Sequence, residues 1–120
     1  MNKLRVGICG WGNVATGLFK TLQTNSVEIK KRSNLEIEII AIGARRDNPK
    51  CDPGNVIIER DIFNIIDHDI DVIVELIGGV DVARDLILKA LNAKKHVVTA
   101  NKAVIFNHGD ELFSCLLYTS

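Results

Sequence analysis

At 120 residues the chain has room for one domain or part of one. Hydrophobic residues make up 47% and charged residues 25%, so a packed core is expected and intrinsic disorder is not. The 15 basic and 15 acidic residues cancel, which leaves no electrostatic case for binding nucleic acid or an anionic membrane. The apolar runs are too short to span a bilayer. Met1-Asn2-Lys3-Leu4-Arg5 leads directly into a strand without an apolar leader, so no signal peptide is expected. Cys9, Cys51 and Cys115 are odd in number and form no CxxC pair. That argues against a disulfide framework or zinc site and for a reducing cytoplasm. His68, His96 and His108 share no metal-ligand spacing, so no metal is expected.

Leu4 to Cys9 reads as a buried strand, and Gly10-Trp11-Gly12 as a tight turn. From Asn13 to about Gln23 the period is helical, with Val14, Leu18 and Leu22 on one face. The polar stretch Thr24 to Asn34 reads as a helix end plus loop. Glu36 to Ile42 is rich in β-branched residues and makes a second strand. Asp47-Asn48-Pro49 and Asp52-Pro53-Gly54 are turn signals. Val56 to Ile58 adds a short extended piece, and Asp61 can cap a short helix to Ile66. Asp71 to Ile77 is a strand, apolar on both faces at its centre, which Gly78-Gly79 ends. Asp81 can cap the next helix, with Ala83, Leu86 or Ile87, and Ala90 on its packing face. Lys94 and Lys95 follow at its carboxyl end, where the helix dipole favours cations. His96 to Thr99 is a further strand, and a last helix starts near Asn107. Near-continuous apolar strands alternating with helices predict an α/β, doubly wound parallel sheet of Rossmann type. Such sheets bind ligands at the carboxyl ends of their strands, where the winding reverses.

The sharpest motif is Gly10-Trp11-Gly12-Asn13-Val14-Ala15, a GxGxxA pattern followed by Gly17. It follows a strand and opens a helix, the context a dinucleotide fingerprint requires. Gly10 permits the turn, and Gly12 lets backbone approach a pyrophosphate. Ala15 and Gly17 let the helix pack close to the sheet. The free amides at about Gly12 to Val14 then face the phosphate charge. The alternative is a glycine-rich turn with no ligand. At the end of the second strand, Ile42-Gly43-Ala44-Arg45-Arg46-Asp47 carries no acid at its tip. Arg45 and Arg46 suit a 2′-phosphate, so NADP is expected ahead of NAD. Asp47 is left open for a ribose hydroxyl, and solvated loop charges are the alternative for the arginines. The spacing from Gly12 exceeds the common ~20 residues, and the polar stretch Thr24 to Asn34 supplies the excess.

Four stretches together resemble homoserine dehydrogenase: Gly10 to Gly17, Ala41 to Asp52, Val74-Glu75-Leu76-Ile77-Gly78-Gly79, and His96-Val97-Val98-Thr99-Ala100-Asn101-Lys102-Ala103. The resemblance runs from about Leu4 to Phe113. It implies NAD(P)-dependent interconversion of aspartate 4-semialdehyde and homoserine, on the route to threonine and methionine. It also implies that Gly78 and Gly79 let the cofactor lie close to backbone, with Thr99 and Lys102 at the nicotinamide end. Lys102 would lie between cofactor and substrate, where an ammonium could stabilise a developing alkoxide or only orient the cofactor. The family's enzyme is a much longer homo-oligomer acting on a small molecule. Its substrate and dimerisation domain, and the strands that complete the sheet, are absent here, so the fragment alone is expected to be inactive. Two other readings stand beside this one: a non-catalytic module sensing NAD(H) or NADP(H), and another dehydrogenase with the same front end.

Three details complete the reading. Cys9 is expected in the core and Cys51 as an exposed thiol in a turn. Glu75, inside an apolar strand, either ends at the cleft or bonds neighbouring backbone. The tail Cys115-Leu116-Leu117-Tyr118-Thr119-Ser120 departs from the family pattern and matches one translated frame of a sequencing-library adapter. The cofactor domain is therefore expected to run from residue 1 to 114, and the last six residues to be non-native.

Overall fold

The computed structural model describes the backbone of residues 2–119 and the side chains of residues 3–101, 103–105 and 107–112. Five strands form one sheet: β1 (Asn2–Cys9), β2 (Leu35–Gly43), β3 (Ile57–Glu59), β4 (Val72–Glu75) and β5 (His96–Thr99). Every pairing is parallel and the spatial order is β3-β2-β1-β4-β5. The chain fills one side of β1, then crosses back to fill the other. The winding therefore reverses between β1 and β4, and a crevice opens at their carboxyl ends. This is the doubly wound α/β sheet that the alternation of strands and helices predicts.

Helices α1 (Asn13–Thr24) and α2 (Ser26–Ser33) join β1 to β2. A 3-10 helix (Ile62–Asp67) precedes β4, α3 (Asp81–Asn92) joins β4 to β5, and α4 (Lys102–Thr119) follows β5. On one face of the sheet Val6, Ile8 and Ile42 pack against Trp11, Ala15 and Phe19. On the other, Cys9, Ala41 and Ile73 pack against Ile65, Ile66, Ile70, Leu86 and Ala90. Covering both faces is why β4 is apolar on both sides: Ile73 joins the second cluster, and Val74 packs on the first. Burial of the Phe19 side chain alone stabilises by about 1.5–3 kcal/mol. Its ring meets Trp11 edge to face at 5.3 Å. Ala83 and Ile87 of α3 then take Val104 and Leu112 of α4.

Several local expectations are corrected. The stretch Thr24 to Asn34 is no loop: after α1 ends at Thr24, Ser26–Ser33 forms a separate helix, α2, with no buried residue. A Glu28–Arg32 pair one turn apart supports it, and Asn34 ends it in the left-handed region at φ 54. Thus α2 is the insertion that lengthens the path from Gly12 to the second strand. The packing face of α1 is Ala15, Thr16 and Phe19, with Leu18 and Leu22 half-buried; Val14 is 67% exposed. The small Ala15 and large Phe19 fit the sheet, so the i, i+4 row is shifted by one residue from the expected one. Gly17 is exposed, and a Cβ there would meet nothing within 4 Å, so close packing does not require it. Asp61 caps the 3-10 helix as expected, accepting from the Phe63 amide. Asp81 does not cap α3; the cap position is Val80 and no side chain serves it. Strand β4 ends at Glu75, two residues early, and α4 starts at Lys102, five residues early. The Ile77 amide bonds the Glu75 side chain, and Asn101 caps the start of α4. Cys51 is 7% exposed beneath the loop after β2, not an open thiol, whereas Cys9 is fully buried. The side chain of Lys102 and those of Cys115 to Ser120 lie outside the described residues.

Candidate functional site

The turn after β1 demands glycine at Gly10. Its φ is +108, and an added Cβ would stand 2.7 Å from the Leu76 carbonyl oxygen. The Gly10 amide donates to Gly43 O at 2.8 Å. The turn is therefore wedged between the ends of β2 and β4, at the reversal point. Gly12 precedes α1 with extended backbone, and a Cβ there would meet nothing within 4 Å. No side chain caps α1, and its first turn carries no acid. The first amide bonded back into the helix is that of Thr16, which donates to Gly12 O at 3.0 Å. The amides of Asn13, Val14 and Ala15 thus have no helical acceptor. Open space at Gly12, unclaimed amides and the positive end of the helix dipole make a cradle that fits a phosphate group.

A cavity of about 330 Å³ lies on the β2 side of this turn, lined by Gly10, Trp11, Gly43, Arg45, Arg46 and Asn48 among others. Arg45 and Arg46 are exposed, and neither side chain has a hydrogen-bond or ion-pair partner among the described residues. Asp47 pairs with Arg60, which also donates to the Ala44 carbonyl at 3.2 Å. The sequence reading missed Arg60, because it lies 13 residues away and reaches Asp47 only when β3 docks on β2. It also missed Asn48, whose amide nitrogen donates to Trp11 O at 3.1 Å and ties this loop to the glycine turn. The rim thus presents two guanidinium groups without a partner among the described residues.

A second cavity, about 400 Å³, lies on the β4–β5 side, lined by Val14, Glu75, Ile77, Gly78, Gly79 and Asn101 among others. Both proposed fates of Glu75 are realised, since it lines this cleft and bonds backbone. It is 0% exposed. One carboxylate oxygen accepts from the Ile77 amide at 2.9 Å; the other accepts from the Thr99 hydroxyl at 2.6 Å. Strand pairing sets this contact, because Glu75 stands opposite Thr99 on one side and Cys9 on the other. The Cys9 thiol is pushed up to about 12, by burial first and by the Glu75 charge second. The Thr99 oxygen in turn accepts from the Asn101 amide at 3.0 Å. Asn101 caps α4, its oxygen accepting from the Val104 amide at 3.1 Å, and its side-chain nitrogen donates to Gly79 O at 2.6 Å. Asn101 escaped the sequence reading, although Asn just before a helix is a capping signal. Lys102 follows it as the first residue of α4.

The two cavities flank one phosphate cradle. Gly10, Gly12, Asn13, Val14 and Ala15 stand at the centre, Arg45 and Arg46 line one cavity and Gly78 the other; Thr99 does not line it but bonds Glu75, which does. Among the described residues, no group of three or more His, Cys, Asp or Glu could hold a metal ion. No helix among them is long and apolar enough to cross a membrane.

Comparison with known proteins agrees with this geometry. Residues 10–116 match the family model described as homoserine dehydrogenase, NAD binding domain. The chain is 51% identical over 115 residues to a homoserine dehydrogenase of Pseudomonas aeruginosa, covering 95% of this chain and 26% of that protein. It is 42% identical over 108 residues to the homoserine dehydrogenase of Methylobacillus glycogenes, covering 88% of this chain and 26% of that one. Among solved structures, a homoserine dehydrogenase from Thiobacillus denitrificans superposes with a TM-score of 0.88 at 34% identity, covering 98% of this chain and 28% of that one. A hyperthermophilic archaeal homoserine dehydrogenase in complex with NADPH shares the fold, with a TM-score of 0.75 at 20% identity. The chain thus spans about a quarter of the length of the curated relatives it matches. A glycine-wedged turn at the reversal point, a cavity on either side of it and this set of relatives agree: the chain belongs to the family of homoserine dehydrogenase NAD-binding domains.

Proposed function

We propose that the chain is the cofactor-binding part of an enzyme that interconverts aspartate 4-semialdehyde and homoserine, in threonine and methionine biosynthesis, and that NADP(H) is preferred over NAD(H). The observation that carries the reading is the pair of cavities on either side of the Gly10–Gly12 turn. A dinucleotide needs two such spaces joined by a pyrophosphate cradle. The NADP preference rests on Arg45 and Arg46 standing free while Arg60 occupies Asp47. Forked guanidinium groups hold a phosphate, whereas a ribose diol calls for a free carboxylate.

When bound, the dinucleotide supplies or accepts a hydride at its nicotinamide ring. The amides of Asn13, Val14 and Ala15 hold the pyrophosphate. Arg45 and Arg46 hold the 2′-phosphate, and Gly78 with Thr99 borders the nicotinamide side. Lys102 is assigned the substrate-facing role, its ammonium donating to the carbonyl oxygen and stabilising the alkoxide that develops there. The partner is a small molecule bound by segments outside this chain, and the full protein is a cytoplasmic homo-oligomer.

The test is an assay of the full-length protein with aspartate 4-semialdehyde and either reduced cofactor. Turnover with NADPH exceeding that with NADH is expected, together with a fall of about a hundredfold or more in kcat/KM for Lys102→Ala. No affinity for either nucleotide would overturn the cofactor reading. An unchanged kcat/KM in the variant would remove the role given to Lys102.

A further inference from the structure

The chain of hydrogen bonds that starts at buried Glu75 ends on a loop whose two central residues, Gly78 and Gly79, have no side chain to anchor them. Between Ile77 and Val80 the backbone runs through Gly78 and Gly79, both exposed, with Gly79 at φ +87. A Cβ at either glycine would meet nothing within 4 Å, so the loop borders open space. Two glycines in a row lose more conformational entropy on ordering than any other pair, and no side-chain packing offsets that cost. The loop is instead gripped at both ends. Glu75 holds the Ile77 amide at 2.9 Å, and the Asn101 amide nitrogen holds Gly79 O at 2.6 Å.

We propose that Asn101 is a positioning residue for the nicotinamide half of the cofactor: it clasps the Gly78–Gly79 loop to the start of α4, and Glu75 orients it through Thr99. The inference rests on the cofactor reading above and deepens it. Hydrogen-bond directions follow from the groups present. The Thr99 hydroxyl donates to Glu75 at 2.6 Å. That single proton spent, the Thr99 oxygen can only accept, and it takes the Asn101 backbone amide at 3.0 Å. The Asn101 side chain then divides its two functions. Its oxygen caps α4 at Val104, and its nitrogen faces Gly79. One side chain therefore sets the glycine loop and the helix that begins with Lys102 relative to each other. A loop already held in place lowers the ordering cost of binding, and the benefit falls on whatever part of the ligand touches it. The adenosine half, on the far side of the Gly10–Gly12 turn, gains nothing.

Full-length protein with Asn101→Ser keeps an oxygen to cap α4 but is too short to reach Gly79. Its affinity for NADPH should fall roughly fivefold to tenfold, the range of one lost hydrogen bond, with Tm near that of the parent. Its affinity for 2′,5′-ADP, which carries only the adenosine half, should stay the same. Thr99→Val, which cuts the relay one step earlier, should repeat this selective loss, and Thr99→Ser, which keeps the hydroxyl, should restore it. Equal losses for both ligands, or loss for neither, would overturn the clasp while leaving the cofactor reading standing. Parent protein that binds neither ligand would overturn both.

Discussion

On the β2 side of the glycine turn, Arg45 and Arg46 project into solvent from a loop, and the adjacent Asp47 pairs with Arg60. On the β4–β5 side, a fully buried carboxylate reaches the cleft through a hydroxyl and a carboxamide, and every polar atom along that line has a partner. The two sides therefore do different physical work. Exposed guanidinium groups cost the fold almost nothing and act only when an anion arrives. A buried carboxylate is part of the fold, so a change at Glu75 itself alters function and stability together. Selectivity between cofactors belongs to the first kind of structure, and fixed geometry near the reacting ring belongs to the second.

The most severe way to break this comparison is Glu75→Ala. It strands the Ile77 amide and the Thr99 hydroxyl without acceptors and opens a void beside Cys9. A loss of about 2–5 kcal/mol is expected in a denaturant titration of the full-length protein, together with weakened NADPH binding. Unchanged stability would mean that the network is ornament to the fold. On the other side, replacing Arg45 and Arg46 by Ala should leave Tm within about one degree and weaken NADPH roughly tenfold to a hundredfold, with NADH little affected. Equal losses for the two cofactors would remove the 2′-phosphate argument.

The smallest effect is expected at the opposite end of the sheet, where Arg5 and Asp71 bind each other beyond the reach of either cavity. The Asp71 carboxyl is held below its ordinary 3.8, chiefly by the side-chain hydrogen bond from Arg5 and then by the Arg5 amide. A lowered folded value means the unfolded chain takes up the proton first as pH falls. The stabilisation is therefore present above pH 3.8 and lost progressively below it. In Asp71→Asn that part of the acid dependence should disappear, while NADPH affinity at neutral pH stays as in the parent. An acid limb of the same shape in both proteins would assign the dependence to other carboxylates.

Much of this site was legible residue by residue. Gly10 announces its own need, since a turn joining a buried strand to a helix start leaves no room for a side chain, and the structure shows the Leu76 carbonyl where a Cβ would go. The packing face of α3 could be read from the period of Ala83, Leu86, Ile87 and Ala90. The face of α1 could not, because two overlapping rows of apolar residues fit the same period, and only the shape of the sheet chooses Ala15 and Phe19 over Val14. Helix α2 hid because its two apolar residues, Val27 and Ile29, stand two apart and give no helical period to read. Cys51 looked exposed because it sits in a turn, but it joins the cluster of Trp11, Phe19 and Ala44, residues distant or separate in the chain.

The sequence alone determined the strand–helix alternation, the glycine turn at the first helix and the basic tip of the second strand, because each is written in neighbouring residues through side-chain period and backbone sterics. Only the tertiary structure decided that Arg60 takes Asp47, that Asn48 grips Trp11, and that Asn101 grips Gly79. These partners lie 13, 37 and 22 residues apart. Parallel strands can be joined only by long crossovers, so the residues that meet at their carboxyl ends are never neighbours in the chain, and their meeting is settled by register and packing.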